Sequence, residues 1–97
     1  MYSLQQTPGF AKWLKALRDL RAKARIIARL RLAEMGHLGD TKAVGGQVSE
    51  MRIDVGAGYR VYYTRRGETL IVLLVGGDKS TQEKDIRRAQ ALVKELL

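Results

Sequence analysis

The sequence predicts an α+β fold in the order β-α-α-β-β-β-α, a small, mostly antiparallel sheet packed against helices. Three observations predict it. Apolar residues recur at helical spacing near both ends of the chain, they alternate with polar ones between residues 48 and 66, and glycine-bearing turns separate the alternating runs. Ninety-seven residues make a single domain over 1–97, long enough to bury a core without staples.

Tyr2-Ser3-Leu4-Gln5-Gln6 alternates and predicts a short edge strand. Thr7-Pro8 then starts a helix, with Thr7 as N-cap and proline at the first helical position. Phe10, Trp13, Leu14 and Leu17 fall on one stripe of that helix. A second helix is expected from about Arg21 to Met35, with Ile26, Ile27, Leu30 and Ala33 inward and Gly36 as the stop. Its other side carries Arg21, Arg25 and Arg29, a basic ridge. Like charges at that spacing cost about a few tenths of a kcal/mol per pair, which weighs a binding role evenly against a plain solvated face.

Residues 36–47 read as a loop by composition. Strands follow near 48–55, 58–66 and 69–75, the last two joined as a hairpin by Arg66-Gly67-Glu68. Leu70 to Val75 is apolar on both faces, as a central strand requires. Gly76-Gly77-Asp78-Lys79 ends that strand, and Ser80-Thr81-Gln82-Glu83 reads as a capping box with Ser80 as N-cap. On that reading Ser80→Ala costs about 1 kcal/mol. The last helix turns Ile86, Ala89, Val93 and Leu96 inward.

Composition narrows the function. The net charge is +8, and residues 1–36 alone hold eight Lys or Arg against Asp19 and Glu34. Such an excess draws polyanions, nucleic acid first, an acidic protein second and a membrane surface a distant third. There is no cysteine, so disulfides and thiolate metal sites are excluded. No apolar run spans a bilayer and no signal peptide is legible, so a cytoplasmic protein without membrane partners is expected. The single histidine, His37, has only Asp40 beside it, which supports neither a metal cluster nor a Ser-His-Asp set; no cofactor is expected. The glycines at 36, 39, 45 and 46 lack the Gly-Lys-Ser/Thr of a P-loop. Gly76-Gly77-Asp78-Lys79-Ser80, between strand and helix, is a candidate anion site or simply a tight connection.

The alternation of residues 50–63 sorts two kinds of chemistry. Met51, Ile53, Val55, Tyr59, Val61 and Tyr63 point one way; Glu50, Arg52, Arg60 and Tyr62 point the other. A sheet that buries the first set and holds guanidinium groups outward is either a phosphodiester platform or an ordinary solvated face.

Gly39-Asp40-Thr41-Lys42, Val44-Gly45, Glu50-Met51-Arg52-Ile53, Gly58-Tyr59-Arg60-Val61-Tyr62-Tyr63 and above all Gly76-Gly77-Asp78-Lys79-Ser80-Thr81-Gln82 with Lys84-Asp85-Ile86 and Ala89 form a recognisable series. Over the whole chain it resembles the bacterial addiction-module killer proteins of the RelE/ParE superfamily, the HigB-like branch nearest. The resemblance implies a RelE-like toxin fold and an endoribonuclease that cuts mRNA in the ribosomal A site without metal. It also implies a helix-turn-helix antitoxin of the HigA kind as partner. The basic residues that bind and polarise the scissile phosphate then correspond to Arg60, Arg52 and Lys79. The chain departs from that pattern at Glu50, which stands where relatives have a second lysine, and at residues 80–97, which hold no tyrosine.

On this reading Arg52 and Arg60 stabilise a phosphorane formed by 2′-OH attack. Lys79 assists or protonates the leaving 5′-oxygen, and Glu50 is either general base or a salt-bridge partner that positions Arg52. Tyr62 stacks on a base or orients a phosphate, Lys42 contacts the RNA backbone, and Arg21, Arg25 and Arg29 dock on ribosomal RNA. The alternatives are a ParE-like DNA gyrase inhibitor and a non-catalytic basic nucleic-acid-binding module.

Overall fold

The computed structural model describes residues 1–96. Its elements are β1 (Ser3–Gln6), α1 (Pro8–Ala16), α2 (Leu20–Glu34), β2 (Thr41–Gly45), β3 (Val48–Ile53), β4 (Tyr59–Arg66), β5 (Leu70–Asp78) and α3 (Gln82–Leu96), with a single 3-10 turn at Lys79–Thr81 before the last helix. The sheet runs β1-β5-β4-β3-β2; β1 pairs parallel with β5 and every other neighbour is antiparallel.

Local chemistry sets the helix ends. Thr7 caps α1, accepting from Phe10 N at 3.1 Å, and its own hydroxyl donates to Leu74 O at 2.8 Å. Asp19 caps α2 by accepting from Ala22 N. Gly36, at φ 96°, closes α2: its N–H reaches Ala33 O and that of His37 reaches Leu32 O, which satisfies two carbonyls the helix leaves free.

One strand lies where the composition gave a loop. Thr41 to Gly45 pairs with β3 at the sheet edge, so the observed order has four strands after α2 rather than three. An exposed edge strand needs no apolar alternation, and the flanking glycines disguised it. The hairpin that follows is tight, with Gly45, Gly46 and Gln47 all at positive φ.

The two faces of the sheet carry different cores. Phe10, Ile26, Leu30 and Ala33 from α1 and α2 meet Met51, Ile53, Val61, Tyr63, Ile71 and Leu73 on one face. On the other, Ala89 and Val93 of α3 meet Val48, Tyr62, Val72, Leu74 and Val75. Leu96, expected inward, is exposed at the end of α3.

A β-bulge decides how the end of β5 is presented. Tyr62 pairs with Val75 and Tyr63 with Leu73, which leaves Leu74 unpaired and turns both Leu74 and Val75 toward α3. The alternation is thereby shifted by one residue. Gly76 faces the Trp13 ring and Gly77 faces Asp85 of α3. The strand also runs three residues past the expected end at Val75, bringing Gly77 opposite Arg60 and Asp78 opposite Tyr59.

The start of α3 differs from the expected capping box as well. Asp78 is the cap residue: its Oδ1 accepts from Ser80 Oγ at 2.5 Å and from Ser80 N at 2.8 Å. Those two bonds hold the Asp78 carboxyl below the ordinary carboxylate range. Ser80 is therefore a donor within the turn, and α3 begins two residues later.

Candidate functional site

The register of β3 and β4 puts Arg52 directly opposite Arg60 and Glu50 directly opposite Tyr62. All four side chains share the face that α3 covers, the side opposite the larger core. The face is not open along its length, because α3 lies over much of it. Tyr62 is wholly buried, the Glu50 side chain is 3% exposed and that of Arg60 10%, while Arg52 keeps 38%.

Where α3 ends the cover, a pocket of about 330 Å³ opens. Arg52, Arg60 and Lys79 line it with Asp40, Asp54 and the turn Gly56-Ala57-Gly58. The turn is held by Gly58 N donating to Val55 O, and Gly58 takes φ 78°. A Cβ at Gly58 would meet the Lys79 stem at 3.3 Å, so the absence of a side chain lets Lys79 lie against the turn. The three cations expected to act together thus come from β3, β4 and the turn after β5.

Glu50 holds the arginine pair. Its Oε1 lies 3.5 Å from Arg52 Nε and 4.0 Å from Arg60 Nε, and its Oε2 accepts from Gln82 Nε2 at 2.8 Å. Like charges directly opposite each other on neighbouring strands repel, and an enclosed carboxylate between them offsets that cost. Arg60 Nη1 donates to Gly58 O and Tyr59 O, which anchors one end of its guanidinium group. Arg52 is steadied from the rim by Asp40 Oδ1 at 3.6 Å.

Three sequence expectations are narrowed or corrected here. Of the two roles open for Glu50, the geometry shows the salt-bridge partner: its carboxylate is enclosed by two arginines and Gln82, which leaves little surface for a general base to reach substrate. Tyr62 lies beneath α3 with no exposed surface and cannot stack on a base; its buried hydroxyl has no hydrogen-bond partner. Arg29 does not stand free on its ridge. Its guanidinium donates to Arg52 O at 2.6 Å, Leu38 O at 3.1 Å and Asp40 O at 3.4 Å, tying the loop before β2 to β3.

Arg21 and Arg25 are exposed on α2, in the helix layer on the opposite side of the sheet from the arginine pair. Lys42 is exposed on β2, opposite Glu50 in register and outside the pocket wall. His37 is exposed in its loop. Gly76 and Gly77 are strand residues covered by an aromatic ring and a carboxylate, an arrangement that disfavours an anion. The sequence reading missed half-buried Gln82 and buried Asp85 as polar anchors; the glycine pair was the available signal, since a strand without Cβ atoms marks a close approach.

Among the described residues no group of three or more His, Asp or Glu is placed to hold a metal ion, and no helix is long and apolar enough to cross a membrane. The family model described as "Phage derived protein Gp49-like (DUF891)" matches residues 12–94. An uncharacterized protein of Haemophilus influenzae is 48% identical over 93 residues, covering 96% of this chain and 94% of the relative. No solved structure matches.

Proposed function

This chain belongs to the Gp49-like phage-derived family, a toxin–antitoxin toxin family related to the RelE/HigB type, and on that premise we propose that it is a ribosome-dependent endoribonuclease. The observation that carries the reading is the convergence of Arg52, Arg60 and Lys79 on one pocket beside a glycine turn. A phosphodiester attacked by its own 2′-OH passes through a phosphorane bearing two negative charges. Fixed guanidinium groups stabilise that charge without reorganising at the moment of reaction. Arg60 is the more rigid of the pair, since Nη1 is held by two carbonyls and Nε faces Glu50. Arg52, more exposed, meets the incoming backbone first. Lys79 is exposed on the pocket wall and donates a hydrogen bond to a non-bridging or leaving oxygen.

The bond from the attacking 2′-oxygen to phosphorus forms as the bond to the 5′-oxygen breaks; the 2′-hydroxyl proton passes to solvent water, and the departing 5′-oxygen takes up a proton from Lys79 or water. The products are a 2′,3′-cyclic phosphate and a 5′-hydroxyl. In-line geometry comes from mRNA held in the ribosome, which leaves the protein's own residues to stabilise charge. The charge of the site is supplied by these side chains, so the reading is metal-independent. An antitoxin partner follows from the family; the helix-turn-helix kind of the HigA type is part of this proposal.

Arg60→Ala is expected to fold and to lose about a hundredfold or more in cleavage rate on ribosome-bound mRNA. Wild-type cutting by purified Arg60→Ala would overturn the assignment. Primer extension after brief induction tests the activity itself: codon-phased cuts support it, whereas intact transcripts with a DNA-damage response point to gyrase inhibition.

A further inference from the structure

We propose that Gln82 is a positioning residue, which through Glu50 sets the direction in which Arg52 and Arg60 present their guanidinium groups to the pocket. The inference rests on the nuclease reading for its catalytic consequence and on geometry alone for its structural one. Gln82 is the first residue of α3, and its carboxamide reaches across to β3 to donate to Glu50 Oε2 at 2.8 Å. That bond fixes the plane of the carboxylate. The remaining oxygen, Oε1, then faces the Nε atoms of both arginines, at 3.5 Å and 4.0 Å.

Both contacts are long, and neither Nε has a hydrogen-bond acceptor in this arrangement. One oxygen shared between two cations is sensitive to a small rotation: turning it toward one arginine takes it from the other. A neutral donor suits this task. A lysine at the same place would neutralise Glu50 and compete with the arginines, and an apolar residue would leave Oε2 unsatisfied in a nearly closed space. Gln82 also makes the seating of α3 part of the site, because its backbone belongs to the helix and its side chain to the charge network.

The test uses the whole protein with labelled arginine nitrogen. In Gln82→Ala, the Nε–H resonances of Arg52 and Arg60 shift and exchange faster with solvent, while thermal unfolding shows a folded protein. On ribosome-bound mRNA the same variant lowers kcat about tenfold or more and changes KM little, since substrate charge is still met but misplaced. Gln82→Glu serves as the second variant and keeps the size of the side chain. It places two carboxyls together, which share a proton at lower pH, so its activity rises as pH falls relative to wild type. Unmoved Nε–H resonances in Gln82→Ala, or a wild-type pH profile in Gln82→Glu, overturn the proposal. Shifted resonances in a protein whose wild type cuts no mRNA uphold the positioning role and sink the nuclease reading alone.

Discussion

The carboxylate of Asp85 occupies the space over Gly77 where any other residue would place its first side-chain carbon. Asp85 is itself buried, and its Oδ2 accepts from Thr81 Oγ1 at 2.6 Å. The close approach of α3 to β5 at this point therefore requires a missing side chain on one partner and a held carboxylate on the other. Gly77→Ala is expected to lose about 1–3 kcal/mol of stability through overpacking. Urea unfolding reads it. In an Asp85→Ala background the same substitution costs less, and a double-mutant cycle that comes out additive would contradict the contact. Gly77 is also the cross-strand neighbour of Arg60, so under the proposed nuclease function the displaced backbone is expected to lower cleavage as well.

Arg29 and Arg25 lie on the same helix and differ in role. Arg29→Ala removes a charged donor from three carbonyls and is expected to cost about 1.5–3 kcal/mol. Arg25→Ala, at an exposed position, is expected to stay within about 0.5 kcal/mol of the parent. Paired thermal melts check both. Equal melting shifts would reject the distinction.

Tyr62 gives a pH prediction with a definite sign. Burial, then the charges of Glu50 and Asp85, raise its phenol well above the ordinary value of 10.0. As pH climbs past that value the unfolded chain releases the proton while the folded chain keeps it. The folded state then binds more protons, and stability falls with rising pH. Tyr62→Phe removes that contribution, so its alkaline loss of stability is shallower. At neutral pH the substitution is nearly neutral, within about 1 kcal/mol, because the hydroxyl it deletes has no partner. Denaturant midpoints measured from pH 7 upward decide it.

Asp78 caps the turn into α3, and its carboxyl is held low by the Ser80 hydroxyl and then by the Ser80 amide. A depressed carboxylate contributes stability above its unfolded value of 3.8, which is lost as pH falls through the lower folded value. Asp78→Ala is expected to cost about 1 kcal/mol at pH 7 and to flatten the acid limb of the stability profile. Ser80→Ala should cost a similar amount through the same bond rather than through a capping box. A Ser80→Ala, Asp78→Ala pair with fully additive losses would refute the shared contact.

Much of the fold was legible because its signals are local. Thr7-Pro8 and Gly36 act within one turn of chain, and the alternation of 50–63 assigned every side chain to its observed face. The strand at Thr41–Gly45 was not legible, since an exposed edge carries no apolar pattern. Nor was the bulge at Leu74, whose consequence, Gly77 under α3, depends on pairing with a strand ten residues away.

For the site, the sequence by itself determined which residue types share a face, because strand periodicity is a property of the backbone alone. It also determined the excess of positive charge, +8 over the chain. Only the tertiary structure decided which of those residues meet solvent. The seating of α3 buried Glu50 and Tyr62 and left Arg52 at a pocket edge, and a helix arriving from the far end of the chain leaves no trace in the strand's own pattern. Exposure depends on what packs above a residue, and that is fixed by contacts between segments distant in sequence.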